Sequence, residues 1–474
     1  MGSFHVRPAS LTRSSICVFL ASASLACGPA AMPPVEEPVL ALPPLMWGGV
    51  AAEDLDPDPD VVEVSLRAEE RALDLGGGKV LPMFTYNGLF PGPRIEAKVG
   101  DEVVVHFFND LDTPQTIHWH GLRISDQMDG SPRIQDPVEP GGSFEYRFVV
   151  PDAGTYWYHP HVRSNVGVER GLQGALVVHD PADPHFDLER VLVLDDLLLG
   201  MDGNPPPFLA TPMEQRHGRQ GNVMLTNGQL GGTVTAEAEV GQVERWRLVN
   251  SANARTMVLT VAGASFWVVG TDGGRLPEPY RTSRLTLTTG QRYDLQVHYE
   301  TPGRVTLVNR MTNHDMQGNH VMVVEESFSV SVLDTRRAPT EIVWAPMADF
   351  PERAIDRWEE MIFDLVQGDD GLEWRINGRT NPMRPIYTFE EGDTVSLRLR
   401  NESDHEHPFH LHGQFFEIAG TANPGLKDTV LVTAWSDVLI TAYLDNPGRW
   451  MAHCHNLEHA ELGMMAEILI NPAP

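Results

Sequence analysis

Close to its C-terminus the chain reads His453-Cys454-His455-Asn456-Leu457-Glu458-His459-Ala460-Glu461-Leu462-Gly463-Met464. A thiolate, an imidazole and a thioether from this stretch are three of the four ligands of a copper site that transfers single electrons. If the stretch begins on a strand, the two histidines beside Cys454 point away from its sulfur and can bind other metal ions. The pattern therefore predicts two metal centres joined by a short covalent path for electrons.

Histidine pairs separated by one residue recur along the chain. They are His118/His120, His159/His161, His405/His407, His410/His412 and His453/His455. The 19 histidines, scattered over 474 residues, would give about one such pair by chance. Because residues i and i+2 of a strand face the same side, each pair can present two imidazoles to one metal ion or to two. We therefore interpret the set as ligands of a metal cluster.

Four of these stretches resemble the copper-binding motifs of multicopper oxidases in order and spacing. They are His118-Trp119-His120-Gly121, His159-Pro160-His161, His407-Pro408-Phe409-His410-Leu411-His412-Gly413 and the stretch from His453 to Met464. The resemblance implies four copper ions. Their implied ligands are His407, Cys454, His459 and Met464 for type 1 copper, His118 and His410 for type 2, His120, His159 and His455 for one type 3 copper, and His161, His412 and His453 for the other. His405 has no place in this scheme, and its spacing from His407 is interpreted as incidental.

The resemblance also implies the reaction. Type 1 copper would take single electrons from a small reducing substrate, which is a phenol, an aromatic amine or a metal ion such as Cu(I). The other three coppers would pass four electrons to dioxygen and give water. The ring edges of His407 and His459 are expected at the surface, where they would accept electrons. Asp129 matches an acidic residue that delivers protons to the cluster, whereas Ala460 stands where many bacterial relatives have an acid.

An internal repeat predicts the fold. Its members are Asn87-Gly88 with Gly100 and Asn109, Asn227-Gly228 with Gly241 and Asn250, and Asn377-Gly378 with Gly392 and Asn401. The stretches between them alternate like short strands joined by tight turns. They predict an all-β chain of three Greek-key β-sandwich or barrel domains at residues 60–181, 182–336 and 337–474, which are cupredoxin-like in the resembled family. The second domain has no histidine pair and is interpreted as a spacer that lets the other two meet.

The N-terminal segment predicts export. Residues 1–27 read as a signal peptide, because Arg7 and Arg13 precede an apolar run. Cleavage before Cys27 would leave a lipidated N-terminus, and plain cleavage nearby or a retained anchor are the alternatives. Residues 28–59 are rich in Pro, Glu and Asp and are predicted to form a disordered linker. We therefore expect a periplasmic or cell-envelope protein, tethered to the membrane if Cys27 is lipidated.

Composition and local chemistry narrow the function. With 65 acidic and 35 basic residues, the formal charge of −30 argues against nucleic acid or an anionic membrane as a partner. Three functions remain: a laccase-like phenol oxidase, a periplasmic cuprous oxidase and a copper-free structural relative, which the complete ligand set disfavours. Residues 344–379 contain only Met347 and Met361, although thioethers suit Cu(I). Asp404 and Glu406 beside His407 can accept the proton of an oxidised phenol, and they favour the first function.

Overall fold

The computed structural model describes residues 40–41, 49–76, 78–230, 234–314, 320–347, 350–351, 353–368, 371–421 and 424–473. The predicted signal peptide, Cys27 and most of the predicted linker lie outside these residues. Within the described ranges, no helix is long and apolar enough to cross a membrane.

The first third of the chain forms two sheets. Its strands are β1 Leu40–Ala41, β2 Val61–Asp74, β3 Val80–Tyr86, β4 Ile95–Lys98, β5 Glu102–Asn109, β6 His118–His120, β7 Ser143–Val149, β8 Gly154–His159 and β9 Gly174–His179, with a 3-10 helix at Asp126–Met128 and helix α1 at Ser164–Glu169. One sheet has the order β1-β2-β5-β7 with β3 paired to β2, and the other has the order β4-β9-β8-β6. From Val62 to Ala68 every second side chain of β2 is buried, including Val64 and Leu66, so this face packs into a core that both sheets share.

The middle third forms a second pair of sheets. Its strands are β10 Leu188–Leu197, β11 Val223–Thr226, β12 Gln229–Leu230, β13 Thr235–Val240, β14 Val243–Asn250, β15 Met257–Ala262, β16 Ser265–Thr271, β17 Gly274–Tyr280, β18 Leu285–Leu287, β19 Arg292–His298, β20 Gly303–His314 and β21 His320–Arg336, with helix α2 at Pro212–His217. The sheet orders are β12-β11-β10-β14-β19-β16-β17 and β13-β21-β20-β15-β18. Helix α2 begins at Pro212, after Thr211 caps it by accepting a hydrogen bond from the Glu214 amide.

The last third forms a third pair. Its strands are β22 Arg357–Gln367, β23 Leu372–Ile376, β24 Tyr387–Glu390, β25 Thr394–Asn401, β26 His407–Leu411, β27 Phe416–Ile418, β28 Thr429–Val432, β29 Asp437–Tyr443, β30 Gly448–Cys454 and β31 Met465–Asn471, with helix α3 at Leu457–Glu461. The sheet orders are β23-β22-β25-β29-β27 and β24-β31-β30-β26-β28. The predicted all-β fold is confirmed, and the predicted domain boundaries stay predictions.

The repeated asparagines have the same role in each pair of sheets. Asn87, Asn227 and Asn377 have positive φ angles of 57°, 49° and 52°, a conformation that asparagine adopts more readily than most residues. Each side-chain oxygen accepts a 2.7 Å hydrogen bond from a strand amide, which belongs to Arg67, Val193 or Ile362 respectively. The internal repeat in the sequence is therefore a repeat of turn geometry.

Residues 49–59 differ from the predicted disordered linker. The Ala52 amide donates to the Arg94 carbonyl and the Leu55 amide to the Glu63 carbonyl, both at 2.8 Å. Asp56 accepts a 2.8 Å hydrogen bond from the amide two residues later, an Asx-turn that orders the chain locally. The amino-acid composition of residues 49–59 predicted disorder because composition carries no information about individual turns and backbone hydrogen bonds.

Candidate metal centres

The structure brings the predicted ligands together in two buried groups. The thiolate group consists of His407, Cys454 and His459. The histidine cluster consists of seven histidines whose triads lie close enough to share metal ions, together with His455, whose ring centroid lies 4.9 Å from that of His120. The seven are His118, His120, His159, His161, His410, His412 and His453. All eleven side chains lie in the interior, and Cys454 joins the two groups through its peptide bonds to His453 and His455.

The thiolate group has its nitrogen and sulfur atoms turned towards one point. Cys454 Sγ lies 3.6 Å from His407 Nδ1 and 3.7 Å from His459 Nδ1, and the two Nδ1 atoms are 3.2 Å apart. The opposite ring nitrogens have partners outside the group, because His407 Nε2 lies 2.9 Å from Ser403 Oγ and His459 Nε2 donates to the Arg216 carbonyl at 2.9 Å. With the ring protons on Nε2, both Nδ1 lone pairs face the sulfur. This donor set suits copper.

Met464 lies beside this group in the apolar core of the third pair of sheets. Its carbonyl accepts a 3.0 Å hydrogen bond from the Cys454 amide, and its own amide donates to the His459 carbonyl at 3.0 Å. Burial raises the pKa of the Cys454 thiol and lowers the pKa of His459 to about 3. A metal ion at this point would supply the positive charge that a buried thiolate needs.

Strand pairing builds the histidine cluster from both ends of the chain. In β6 and β8, His118 stands opposite His159, and in β26 and β30, His410 stands opposite His453. The two sheets meet so that the His118 and His412 rings stack with centroids 3.9 Å apart and the His120 and His410 rings stack at 3.8 Å. The cluster therefore needs the first and third pairs of sheets together.

Hydrogen bonds fix which ring nitrogen points into the cluster. Four Nδ1–H groups donate to backbone carbonyls at 2.9–3.0 Å, those of His118, His159, His410 and His453. Among the described residues, Nε2 of His118, His159 and His410 is buried without a hydrogen-bond partner, and Nε2 of His412 lies 3.0 Å from Nε2 of His453. A buried unpartnered polar atom costs about 1–3 kcal/mol. Metal ions between these lone pairs would satisfy them, so the residues fit a metal cluster.

The protonation of the cluster also suits metal binding. The pKa values of His159, His453 and His455 lie well below the ordinary value for histidine. The main cause is burial, and the second is repulsion by the positive charge that neighbouring rings would carry. The same causes lower the pKa of His161 to about 3. These four imidazoles are therefore neutral at physiological pH, and neutral imidazole is the form that binds transition metals.

Asp129 contacts the cluster directly. Its carboxylate oxygens lie 2.9 Å from His412 Nδ1 and 3.2 Å from His118 Nδ1. Burial acts to raise its pKa, but the adjacent His412 and His118 outweigh burial and hold the pKa of this carboxyl well below its usual range. The next residue must be glycine, because at a φ of 79° a Cβ on Gly130 would lie 1.8 Å from the Ile117 carbonyl oxygen.

The sequence analysis missed Asp428 and Arg292. Asp428 Oδ1 lies 3.3 Å from His120 Nε2, and the Asp428 carbonyl accepts the 3.0 Å hydrogen bond from His410. Arg292 donates to both carboxylate oxygens of Asp428. A lone aspartate and a lone arginine far apart in the chain form no motif, so no sequence signal pointed to them.

The interpretation of the middle domain as a spacer is wrong. Besides Arg292, this domain supplies Thr289, whose hydroxyl donates to the His455 carbonyl at 2.8 Å. Gly290 passes so close that an added Cβ would lie 2.9 Å from His120 Cε1. The middle domain thus completes the wall around the histidine cluster.

The expected exposure of His407 and His459 is also wrong, since both rings are fully buried. Helix α2 lies over His459 through the Arg216 carbonyl, and the Trp374 ring packs on His459 at 4.1 Å. His405 belongs to none of the candidate metal groups among the described residues, and its buried ring lies 4.5 Å from the His217 ring of α2. These contacts join residues that lie between 85 and 243 positions apart in the chain, which pair spacing cannot reveal.

Helix α3 carries a buried glutamate, Glu458, two positions before Ala460, the residue that stands where many bacterial relatives have an acid. Ala460 is buried and Glu461 is exposed, so neither provides an inward carboxylate. Glu458 does, and it accepts hydrogen bonds from the Arg219 amide at 2.8 Å and from Asn253 Nδ2 at 2.9 Å. Burial raises the pKa of Glu458 to about 7.

Comparison with known proteins agrees with this geometry. Sequence models described as multicopper oxidase match residues 68–183, 201–327 and 357–474. Multicopper oxidase MmcO of Mycobacterium tuberculosis is 32% identical over 448 residues, which cover 86% of each chain. The structure of a Campylobacter jejuni multicopper oxidase described as a metallo-oxidase aligns with a TM-score of 0.80 at 27% identity, covering 91% of this chain and 95% of that one. A laccase-like multicopper oxidase of Ochrobactrum sp. aligns with a TM-score of 0.75 at 25% identity, covering 87% and 99%. The three pairs of sheets match the cupredoxin-like domains of these structures. Together with the sequence matches, this shows that the chain belongs to the multicopper oxidase family.

Proposed function

We propose that this copper-dependent oxidoreductase couples four one-electron oxidations of a phenolic substrate to the reduction of dioxygen to water. The observation that carries the proposal is the position of Cys454, which faces His407 and His459 and is bonded to His453 and His455 of the histidine cluster. Cys454 thus belongs to the thiolate group, which would accept electrons, and is bonded to the histidine cluster, which would transfer them to dioxygen.

The proposed cofactor is four copper ions. One would be held by His407, Cys454, His459 and Met464, and three by the histidine cluster, with His118 and His410 on one, His120, His159 and His455 on the second, and His161, His412 and His453 on the third. When bound, copper supplies one-electron transfer at the thiolate and delivers the electrons to dioxygen at the cluster.

The side chains around the coppers have proposed roles of their own. Carbonyl groups hold the Nδ1–H of His118, His159 and His410, which aims each Nε2 inward. Asp129, a carboxylate in contact with His412, is proposed to accept protons from solvent and pass them to the cluster as oxygen is reduced.

Phenols are the proposed reductants because of the groups beside His407. Asp404 and Glu406 are exposed carboxylates on the loop that precedes β26, where they can take the proton that a phenol loses. Their hard oxygen atoms are poor ligands for Cu(I). Cuprous oxidation is the second candidate, and the similarity to the Campylobacter jejuni protein described as a metallo-oxidase favours it.

Oxygen uptake distinguishes these candidates. The copper-loaded enzyme is supplied in turn with 2,6-dimethoxyphenol, Fe(II) and Cu(I), without added Cu(II). We expect turnover of the phenol under these conditions. A far higher kcat/KM for Cu(I), or a requirement for excess Cu(II) before phenols react, would replace the phenol oxidase with a cuprous oxidase.

We also propose export to the periplasm or cell envelope, with a membrane tether through lipidated Cys27. Mass spectrometry of the mature N-terminus tests it. Diacylglyceryl Cys27 at the N-terminus, release only by detergent and a soluble Cys27→Ala product would support the tether. An unmodified N-terminus beyond residue 27 would exclude it.

A further inference from the structure

A cleft of about 1150 Å³ opens where residues of all three domains meet. Its wall includes Asp152 of the first domain, Arg275 of the middle domain and Phe415, Glu417 and Tyr443 of the third. The described residues of this wall include no member of the thiolate group or the histidine cluster. Since small-molecule pockets span about 300–1,000 Å³, the cleft has room for a ligand as large as a short peptide.

One side of the cleft is the outer edge of strand β27, which is the last strand of its sheet. At this edge the Phe416 amide and carbonyl bond to Lys427 at 2.7 and 2.9 Å. The Ala419 amide points the other way and bonds to β29 at 2.9 Å. Because neighbouring residues of a strand direct their main-chain groups to opposite edges, Ile418 faces the outer edge as Phe416 does. No main-chain partner stands beside Ile418 in the described part of the chain, so its N–H and C=O can bind an extended peptide.

Charges of both signs face the cleft without a partner of opposite charge. The Arg353 guanidinium lies 3.5 Å from the centroid of the Tyr443 ring, and it forms no ion pair with any described residue. Glu417 also forms none with the described residues, and burial raises the pKa of its carboxyl with no nearby cation to oppose the shift. A ligand that carries a carboxylate and an ammonium group would satisfy both side chains.

The other charged groups of the wall have partners. Arg123 donates to Asp152 and Asp445 at 2.7 and 2.6 Å. Asp180 accepts a 2.8 Å hydrogen bond from the amide two residues later. Arg275 donates to a backbone carbonyl of the wall, although its Nε is a buried donor without a partner among the described residues. The charges of a ligand are therefore expected beside Arg353 and Glu417.

The spacing of these two charges suits a dipeptide. Glu417 stands opposite Thr441 in the pairing of β27 with β29, and Tyr443, under Arg353, lies two residues further along β29. Residues two positions apart on a strand share a face and are roughly 7 Å apart. An extended dipeptide separates its terminal charges by a similar distance, at about 3.3 Å per residue.

We propose that the cleft is a peptide-binding site that takes a short, extended, apolar peptide with free ends. The peptide adds to the edge of β27 at Ile418, its carboxylate pairs with Arg353 and its ammonium group pairs with Glu417. Its side chains cover the apolar part of the wall, which includes Phe415 and Leu426. The free main-chain edge favours a peptide over other zwitterionic ligands, because an extended chain supplies donors and acceptors at the spacing of a strand.

Isothermal titration calorimetry of the copper-loaded enzyme tests this site with the dipeptide phenylalanyl-leucine. Three matched dipeptides each lose one contact: the N-acetyl form has no ammonium group, the C-terminal amide has no carboxylate, and the form with an N-methylated peptide bond has no donor for β27. On the protein, Glu417→Gln and Arg353→Gln each remove one charge. Glu237→Gln makes the same change as the first variant at an exposed residue outside the cleft.

We expect the wild-type enzyme and Glu237→Gln to bind one dipeptide per chain. Loss of either charge, on the peptide or on the protein, should weaken binding by about tenfold, and N-methylation by about fivefold. In Glu417→Gln the N-acetyl form should lose no further affinity, because both changes remove the same ion pair. The blue absorption should stay unchanged in both cleft variants, which shows that they fold. Absence of saturable binding to the wild type, or equal affinity for all four dipeptides, would overturn the proposal, as would wild-type affinity in both cleft variants.

Discussion

The guanidinium of Arg292 donates hydrogen bonds of 2.8 and 2.6 Å to the two carboxylate oxygens of Asp428. Arg292 begins a strand of the middle domain, whereas Asp428 lies in the third domain and faces His120 of the first. Arg292 also donates to the Thr155 carbonyl of the first domain at 2.9 Å. One ion pair therefore links three domains behind the histidine cluster.

Loss of Arg292 should destabilise the protein strongly. Both side chains are fully buried, and a buried carboxylate left without its partner costs about 3–5 kcal/mol. Arg292→Leu is expected to lower the free energy of unfolding of copper-free protein by about this amount, measured by urea denaturation. The matched control, Arg398→Leu, removes an exposed pair with Asp437 and should cost less than about 1 kcal/mol. Equal losses in the two variants would contradict the role of the buried pair.

Cys454→Ser should separate the two metal groups. A serine hydroxyl does not form the copper–thiolate charge-transfer band, so the blue absorption and oxidation of all reductants should disappear. Because the eight histidines remain, metal analysis should still find about three coppers per chain. Retained blue colour would exclude Cys454 as the ligand, and loss of all copper would show that the two groups do not load separately.

The grouping of the proposed ligands could be predicted from sequence because side chains that share a metal ion often lie close together in the chain. His118 and His120 lie on one strand and face one cluster, and the adjacent His453 and Cys454 face the two different groups. Both arrangements leave a pattern in the chain. The Asn-Gly turns are visible for the same reason, since only a few residues tolerate a positive φ. Local geometry therefore made most of the fold and the site predictable.

What could not be predicted depends on long-range packing. Arg292 meets Asp428, and Arg216 meets His459, only after three domains have assembled. Arginine and aspartate are common residues, and a backbone carbonyl such as that of Arg216 is carried by any residue, so neither contact leaves a sequence pattern. The buried state of His459 follows from the same assembly.

Asp129→Asn should slow the oxygen half-reaction. Its carboxylate contacts His412 and His118, and those rings hold its pKa low, so it is ionised throughout the physiological range and holds a proton only in passing, as a relay does. An amide cannot. Stopped-flow reoxidation by dioxygen should slow by about 10²-fold, most at high pH where protons are scarce, while anaerobic bleaching by phenol stays unchanged. Unaltered reoxidation would leave Asp129 with a structural role only.

Asp195 should make stability depend on pH. Burial, and then the charge of Asp196, raises its pKa to about 8, whereas an unfolded aspartate has a pKa of about 3.9. The native state therefore binds more protons between these values, and stability falls as pH rises from about 4 to 8. In Asp195→Asn the urea midpoint should fall less over this range, because asparagine does not titrate and can still accept the Gln173 hydrogen bond. Asp112→Asn, an exposed control, should retain the wild-type slope, and a wild-type slope in Asp195→Asn would contradict the prediction.

Neutralising Asp404 and Glu406 should affect phenols but not reductants that carry no proton. Both carboxylates are exposed. Glu406 directly precedes the buried His407, and Asp404 lies 2.6 Å from His405 Nδ1. An exposed carboxylate can take the phenolic proton from water as the electron leaves, and Asp404→Asn with Glu406→Gln removes this acceptor. We expect kcat/KM for 2,6-dimethoxyphenol to fall by about tenfold, whereas Fe(II) oxidation changes less than about twofold. Asp58→Asn with Asp60→Asn makes the same change in net charge at exposed residues just before β2 and should leave both rates unchanged. If the two reductants instead lost equal rates in the Asp404 and Glu406 variant, the carboxylates would act through charge or packing at His407 rather than as proton acceptors.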